Sequence, residues 1–299
     1  MDRFHLMTVF VAVAEEESFA AAARKLGLSA PAVTRAVAAL EERLAIKLLD
    51  RTTRFVRATE AGRRYLDDAR RLLQEMDEVE EAAAGVNAAP RGHLAVTAPV
   101  QFGRMFVLPV VVDYLRRYPA AQVSALFLDR IVNMLEEGVD VGVRIGALPD
   151  SSLQAIQVAT VRRVLCAAPD YLRERGEPRA PAELAGHDIV SALGVSPTIE
   201  WKFGQGRTIQ TQRIAPRLAT SSNDAAIEAA ASGFGIARLL SYQIAPHLAA
   251  GRLRIVMSEY EPAPVPVHVL HREGRYASAK VRTFVDLTVA ALRGHTALA

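Results

Sequence analysis

The sequence predicts a multidomain chain: an N-terminal all-α winged helix-turn-helix, a long linker helix and a C-terminal α/β domain. Three observations carry that prediction. Residues 1–58 read as short helices with a glycine turn between two of them. A charged run with an apolar seam follows. From His93 on, apolar strands alternate with helices.

Phe4, Met7, Phe10 and Val13 recur at helical spacing, so Phe4–Glu16 is expected to be a helix with a buried face. Its apolar run, Leu6 to Ala14, lies between Asp2 and Glu15-Glu16-Glu17 and is too short to span a bilayer. It also lacks the basic start and cleavage site of a signal peptide, so no membrane association and a cytoplasmic location are expected. Ser18 caps a second helix, Phe19–Leu26, and Gly27 closes it where a left-handed residue is wanted. Ser29 caps a third, with Pro31 in its first turn and Val33, Val37, Leu40 and Leu44 on one face. Lys47–Ala58 then holds strand-like stretches around an arginine-rich turn.

The second helix is rich in small residues, so the third can pack closely across it, as in a helix-turn-helix. Ser29, Thr34 and Arg35 would lie near the start of the recognition helix, which reaches base edges in the major groove. Arg35 suits a bidentate pair with guanine, and Thr34 a base or a phosphate. Arg51-Thr-Thr53-Arg54 has the composition of a wing, offering cations and hydroxyls to phosphates. Between Arg24 and Arg57 the cations Arg24, Lys25, Arg35, Arg43, Lys47, Arg51, Arg54 and Arg57 outweigh Glu41, Glu42 and Asp50. The same spacing also suits a small helical bundle with a solvated basic face.

A long helix is expected from Thr59 to about Val86. Tyr65, Ala69, Leu72, Met76, Val79, Ala83 and Val86 recur at alternating steps of four and three, the seam of a coiled coil, with charged residues between them. The alternative is that this stripe packs on its own chain. Asn87-Ala-Ala-Pro90-Arg-Gly92 reads as a linker.

Beyond it, strands are expected at His93–Ala98, Val123–Leu128, Val139–Ile145, Gly235–Leu239 and Val265–His271. Helices are expected at Phe102–Arg117, Ile131–Glu137, Asp224–Ser232 and Ala277–Arg293. Cys166, the single cysteine, falls in a strand-like run, which excludes an internal disulfide framework and reads as a small buried hydrophobe.

Enzyme chemistry and bound metals are not legible. The 7 histidines never fall four apart beside an acid, and no second cysteine exists. Gly233-Phe-Gly235 has Arg238 where a dinucleotide fingerprint needs its third glycine. Gly194-Val-Ser196-Pro-Thr198 half-matches a nucleophile elbow, but Pro197 has no N–H to donate to an oxyanion. No cofactor is expected. Trp201, the only tryptophan, reads as core or rim.

The run from Phe10 through Ser18-Phe19, Ala22-Ala23, Leu26, Ser29-Ala-Pro-Ala-Val-Thr-Arg35, Leu40-Glu41, Leu44, Leu48-Leu-Asp-Arg51 and Thr59-Glu-Ala-Gly62 closely resembles the LysR-type transcription regulators. One departure is Ala30, where the family often has glutamine or another polar residue; Ala36 is likewise small. Direct readout would then rest on Thr34 and Arg35, with Ala30 or Pro31 touching a thymine methyl. Thr97-Ala-Pro-Val-Gln-Phe-Gly103, Asp140-Val-Gly-Val-Arg-Ile-Gly146, Leu165-Cys-Ala-Ala-Pro169 and Gly233-Phe-Gly-Ile-Ala237 resemble the family's effector domain more loosely. That domain is similar to type 2 periplasmic solute-binding proteins, with two lobes and a ligand cleft.

The resemblance implies a winged helix-turn-helix at 1–58, a linker and dimerisation helix at 59–88, and an effector domain at 91–299. Lobe one would take 91–161 and 267–299, and lobe two 162–266. It implies a sequence-specific regulator of transcription that binds double-stranded DNA at a pseudo-palindromic operator. A homodimer built on the linker helix is implied, with a tetramer or higher assembly expected.

Ligands should meet the C-terminal ends of strands and the N-termini of helices. Thr97, Pro99, Gln101 and Phe102 in lobe one, and Ser221, Ser222 and Asn223 in lobe two, are therefore candidate effector contacts, with Asp129 and Arg144 as the charged candidates. Asp224 reads as its helix's own cap. A small polar molecule, with an organic acid as the first candidate, is the expected effector. Two rival readings stand beside this one. A transport solute-binding protein would have a signal peptide and no basic helical segment, and an enzyme would need a nucleophile, metal or phosphate motif.

Overall fold

The computed structural model describes residues 2–51, 55–83, 89–148, 153–192, 200–204, 209–272 and 278–298. It divides into two compact units, Met1–Ala88 and Ala89–Ala299.

The first unit contains α1 (Arg3–Glu16), α2 (Phe19–Leu26), α3 (Ala30–Leu44), the short antiparallel strands β1 (Leu49–Arg51) and β2 (Val56–Ala58), and α4 (Glu60–Ala83). Ser18 and Ser29 cap as their positions suggest: each hydroxyl accepts the N–H of the residue three further on. Gly27 takes the left-handed conformation (φ 64°) that ends α2. Val9, Phe10 and Val13 of α1 pack with Ala22 and Ala23 of α2 and with Val33, Ala36, Val37 and Leu40 of α3. Phe4, read as part of that buried face, lies in the first turn of α1 and is 39% exposed.

Two details fasten the strand pair to the helices. Glu41 on α3 is buried, and its Oε1 accepts the N–H groups of Leu48 (2.9 Å) and Leu49 (3.1 Å), while Oε2 meets Lys47. Gly62 lies so close to this segment that a Cβ there would sit 1.9 Å from the Leu48 carbonyl oxygen.

The second unit is two five-stranded sheets. Lobe one holds β3 (Gly92–Ala98), β4 (Ala121–Phe127), β5 (Val141–Ile145), β6 (Gln154–Val161) and, late in the chain, β14 (Val265–His271), in spatial order β4-β3-β5-β14-β6. Helix α5 (Val100–Phe102) continues through a wider π turn, Gly103–Val107, into α6 (Leu108–Arg117), so the helix begins two residues before the expected Phe102. The C-terminal helix α10 is Ala279–Arg293. Lobe two holds β7 (Arg163–Ala167), α7 (Pro169–Arg175), β8 (Ile189–Ala192), the hairpin of β9 (Glu200–Phe203) and β10 (Gln210–Arg213), β11 (Leu218–Thr220), α8 (Asn223–Ala231), β12 (Ile236–Leu240), α9 (Ser241–Ala249) and β13 (Arg254–Val256). Its sheet order is β11-β8-β12-β7-β13.

Val161, at the end of β6, pairs with Val265, at the start of β14. The chain therefore passes between the lobes twice, once on each side of that pair. Tyr242 of α9 is buried in the lobe-one core, edge-on to Phe102 and Phe106.

The short helix expected at Ile131–Glu137 is not there. Asn133 Oδ1 accepts the N–H groups of Leu135 and Glu136, and Gly138 turns left-handed (φ 62°), so the segment closes as turns. Ile131 is left 91% exposed.

Candidate DNA and effector sites

Ser29, Ala30, Pro31, Thr34 and Arg35 are all exposed and lie in the first turns of α3 or at its cap. The opposite side of α3 is core: Val33, Ala36, Val37 and Leu40 are at most 1% exposed. Ala36 is therefore small because it is buried, which removes it from base reading. Thr34 donates its hydroxyl to the Ala30 carbonyl (3.0 Å), leaving its methyl and an oxygen lone pair outward.

Some of the cations around this face are ion-paired, while Arg24 and Arg43, like Arg35, have no ion-pair partner among the described residues. Lys25 contacts Glu15 and Glu16, Lys47 contacts Glu41, and Arg70 contacts Glu15. Arg35 has no hydrogen-bond or ion-pair partner among the described residues. The backbone of Arg51 pairs with Val56 in the strand pair, but its side chain, Thr53 and Arg54 lie outside the described residues.

Along α4 the expected seam divides. Tyr65 stacks edge-on against Phe10 of α1 (5.4 Å between centroids), and Ala69 is fully buried. These two pack on their own chain, as the alternative reading allowed. Leu72 is 45% exposed and Met76 half-buried. The side chains of Val79 and Ala83, and all of Val86, lie outside the described residues.

In the second unit, two helix N-termini face each other across the lobes. In lobe one, β3 has its neighbours in the sheet on opposite sides and in crossover order, so its C-terminal end is the switch point where α/β sheets open a crevice. α5 starts there. In lobe two, β11 leads into α8. Gln101 Nε2 donates to Asp224 Oδ1 (2.6 Å), and Arg104 reaches the same oxygen (3.4 Å). Gln101 is 4% exposed, and its Oε1 has no hydrogen-bond partner among the described residues.

Several candidates serve the fold here. Phe102 is fully buried against Phe106 and Tyr242, so it contacts no ligand in a cleft. Thr97 is buried and donates to the Leu126 carbonyl. Asp129 accepts the Val100 N–H at the start of α5 (3.0 Å), consuming one of the free donors that made the site attractive. Arg144 donates to the Val132 carbonyl (3.1 Å) and lies at the edge of hydrogen-bond reach of that of Arg130, tying down the loop before β5; burial holds its pKa below the ordinary arginine value. Ser222 caps α8 by accepting from Ala225; Asp224 is not the cap but the interlobe partner of Gln101 and Arg104. Pro99 immediately precedes α5, Ser221 is exposed and Asn223 half-buried. Arg104 was missed by the sequence reading, although it follows Gln101 by three residues and so shares its helix face.

No cluster of three or more metal-ligating side chains exists among the described residues, and no helix among them is long and apolar enough to cross a membrane.

Comparison with known proteins accounts for both units. Residues 4–63 match the bacterial regulatory helix-turn-helix of the lysR family, and residues 87–293 match the LysR substrate binding domain. An HTH-type transcriptional repressor of Pseudomonas aeruginosa is 33% identical over 288 residues, covering 96% of this chain and 91% of the relative. The HTH-type transcriptional activator AaeR of Escherichia coli is 32% identical over 287 residues, covering 96% and 93%. The structure is similar to that of CrgA, a LysR-type regulator from Neisseria meningitidis (TM-score 0.62, 30% identity, 97% of this chain and 99% of that one). The chain therefore belongs to the LysR family of helix-turn-helix transcriptional regulators, and it is a DNA-binding regulator rather than an enzyme.

Proposed function

We propose that the exposed start of α3 reads the operator and that a small molecule, with organic acids the first candidates, binds between the two lobes of the C-terminal domain and modulates the regulator. The observation that carries the DNA half is Arg35, exposed in the first turns of the recognition helix without a hydrogen-bond or ion-pair partner among the described residues. An unpaired guanidinium loses no intramolecular bond when it pairs with guanine. Thr34, Ala30, Pro31 and Ser29 complete the reading face, and Arg51, Thr53 and Arg54 are assigned to phosphates. The seam of α4, taken from Leu72 onward, would join two copies, presenting two recognition helices to a pseudo-palindromic operator. A cytoplasmic site of action follows from that role.

For the effector, what supports the cleft is the meeting of the α5 and α8 N-termini and the unpartnered Gln101 Oε1 beside Asp224. Pro99, Gln101, Ser221 and Asn223 remain the candidate contacts, with Ser222 in reach as the cap. Gel-shift titration with the DNA upstream of this chain's own coding region tests the reading. Arg35→Ala should cost roughly 1–3 kcal/mol on the cognate site and blur discrimination at one base pair. An equal loss on every sequence would move Arg35 to the phosphate contacts.

A further inference from the structure

The strand pair beside the recognition helix carries an aromatic ring that the fold leaves outside. Val56 and Ala58 of β2 pack against the core of the first unit, so by strand alternation Phe55 and Arg57 point the other way. Phe55 stands just beyond the last paired rung, Arg51 with Val56. The Arg57 guanidinium lies over its ring, 5.5 Å from the centre, and the ring is still 57% exposed. By contrast, Phe10 is fully buried, and Phe19 and Tyr65 pack against the same core.

The ring is carried at a set place beside α3, because Glu41 of that helix holds the N–H groups of Leu48 and Leu49. Directly opposite Arg57 on the outward face stands Asp50, which is exposed. One cation facing one carboxylate adds no net charge for a phosphate, so what this face offers DNA is the ring. A guanidinium over one face also keeps the ring from sliding between two base pairs, which takes both faces. The ring edge is left, and the edge of an aromatic ring is its positive part.

We propose that Phe55 is a specificity-determining contact: its ring edge enters the minor groove beside the bases that α3 reads and selects A·T pairs there. The inference rests on the reading that this strand pair meets DNA. The floor of the minor groove at A·T shows only acceptors, adenine N3 and thymine O2, which suit a positive ring edge. At G·C the guanine amino group projects from that floor, and an apolar edge leaves this donor dry and unpaired. The deoxyribose walls cover the rest of the ring, in the manner of apolar side chains that bind this groove.

The full-length protein is titrated by fluorescence anisotropy against the DNA upstream of its own coding region. A·T pairs flanking the bases read by α3 are changed one at a time to G·C and to inosine·C. Inosine·C keeps the major-groove pattern of G·C and lacks the minor-groove amino group. The expected result is a flanking pair in each half-site at which G·C weakens wild-type binding about ten-fold and inosine·C does not. Phe55→Ala should bind the A·T operator about ten-fold more weakly, accept A·T and G·C alike, and keep the wild-type slope of log affinity against log salt. Phe55→Leu keeps apolar bulk without the polarised edge, so it should regain part of the affinity and none of the preference. It serves alone if hydrogen exchange at Leu48 and Leu49 shows that Phe55→Ala loosens the strands. A G·C penalty that persists in both variants, a lowered salt slope in Phe55→Leu, or inosine·C as poor as G·C at every flanking pair overturns the proposal. If Arg51→Ala lowers the salt slope while both Phe55 variants bind as wild type, this inference fails and the strand pair's contact with DNA stands.

Discussion

Replacing Glu41 with alanine tests how the strand pair beside the recognition helix is held. Its carboxylate is 4% exposed and accepts two backbone N–H groups, those of Leu48 and Leu49, besides the Lys47 ammonium. Alanine leaves both N–H groups buried without a partner, and hydrogen bonds to a charged acceptor are worth about 1.5–3 kcal/mol each. The expected local loss is therefore about 3–5 kcal/mol, less than two full bonds because water enters the vacated space. Glu41→Gln keeps one neutral acceptor and should lose about half as much. Hydrogen exchange of the Leu48 and Leu49 amides in the full-length protein reads this site alone. A loss of about 3 kcal/mol is a fall of roughly 150-fold in protection.

The pH dependence has a definite sign. Burial opposes ionisation of Glu41, but the N–H groups of Leu49 and Leu48, with Lys47, outweigh it and hold the pKa below the ordinary 4.5. A depressed carboxylate stabilises the fold fully above the ordinary value, and that contribution is lost as pH falls through the lower folded-state value. Protection at Leu48 and Leu49 should therefore hold down to about pH 4.5 and then decline, whereas Glu41→Gln should show no such decline. If Glu41→Ala leaves both amides as protected as in wild type, this carboxylate does not fasten the strands and the argument fails.

Three further outcomes are expected. Arg51→Ala should weaken binding to all DNA sequences alike and reduce the slope of log affinity against log salt by about one unit, measured by fluorescence anisotropy; a sequence-selective loss would contradict its assignment to phosphate. Leu72→Lys with Met76→Lys should bury like charges in the seam and give monomers that bind the operator poorly; a double variant still dimeric in sedimentation, with unchanged affinity, would move assembly elsewhere. Asp224→Asn removes the charge that Arg104 pairs with across the lobes, while the new amide oxygen still accepts from Gln101. In a thermal-shift screen of small carboxylates, an anion that binds the cleft should stabilise this variant more than wild type. Equal shifts would show that Asp224 does not compete with the ligand.

The local signals in the sequence determined the elements that depend on near neighbours. Ser18, Gly27 and Ser29 mark helix ends through bonds made within three or four residues, so the helix-turn-helix was legible before any packing was known. The alternation of strands and helices likewise announced an α/β domain. What only the tertiary structure decided were the partners of side chains whose bonds span many residues. Asp224 looked like a cap because its sequence neighbours are cap-like, yet its carboxylate is claimed by Gln101, 123 residues away. Phe102 looked accessible at a helix start, but Tyr242, from the other lobe's helix, seals it into the core. Tyr65 and Ala69 carry the same heptad spacing as Leu72, and α1 covers the first two and leaves the third exposed. The Ile131–Glu137 segment has helical spacing, but Asn133 and Gly138 turn the chain before a second helical turn forms. Arg163 and Arg238 are 75 positions apart and become neighbours only through antiparallel pairing of β7 with β12. Periodicity records which face of an element is apolar. Which element covers that face is set by the register and crossing of strands far apart in the chain, and that information exists only once the chain has folded.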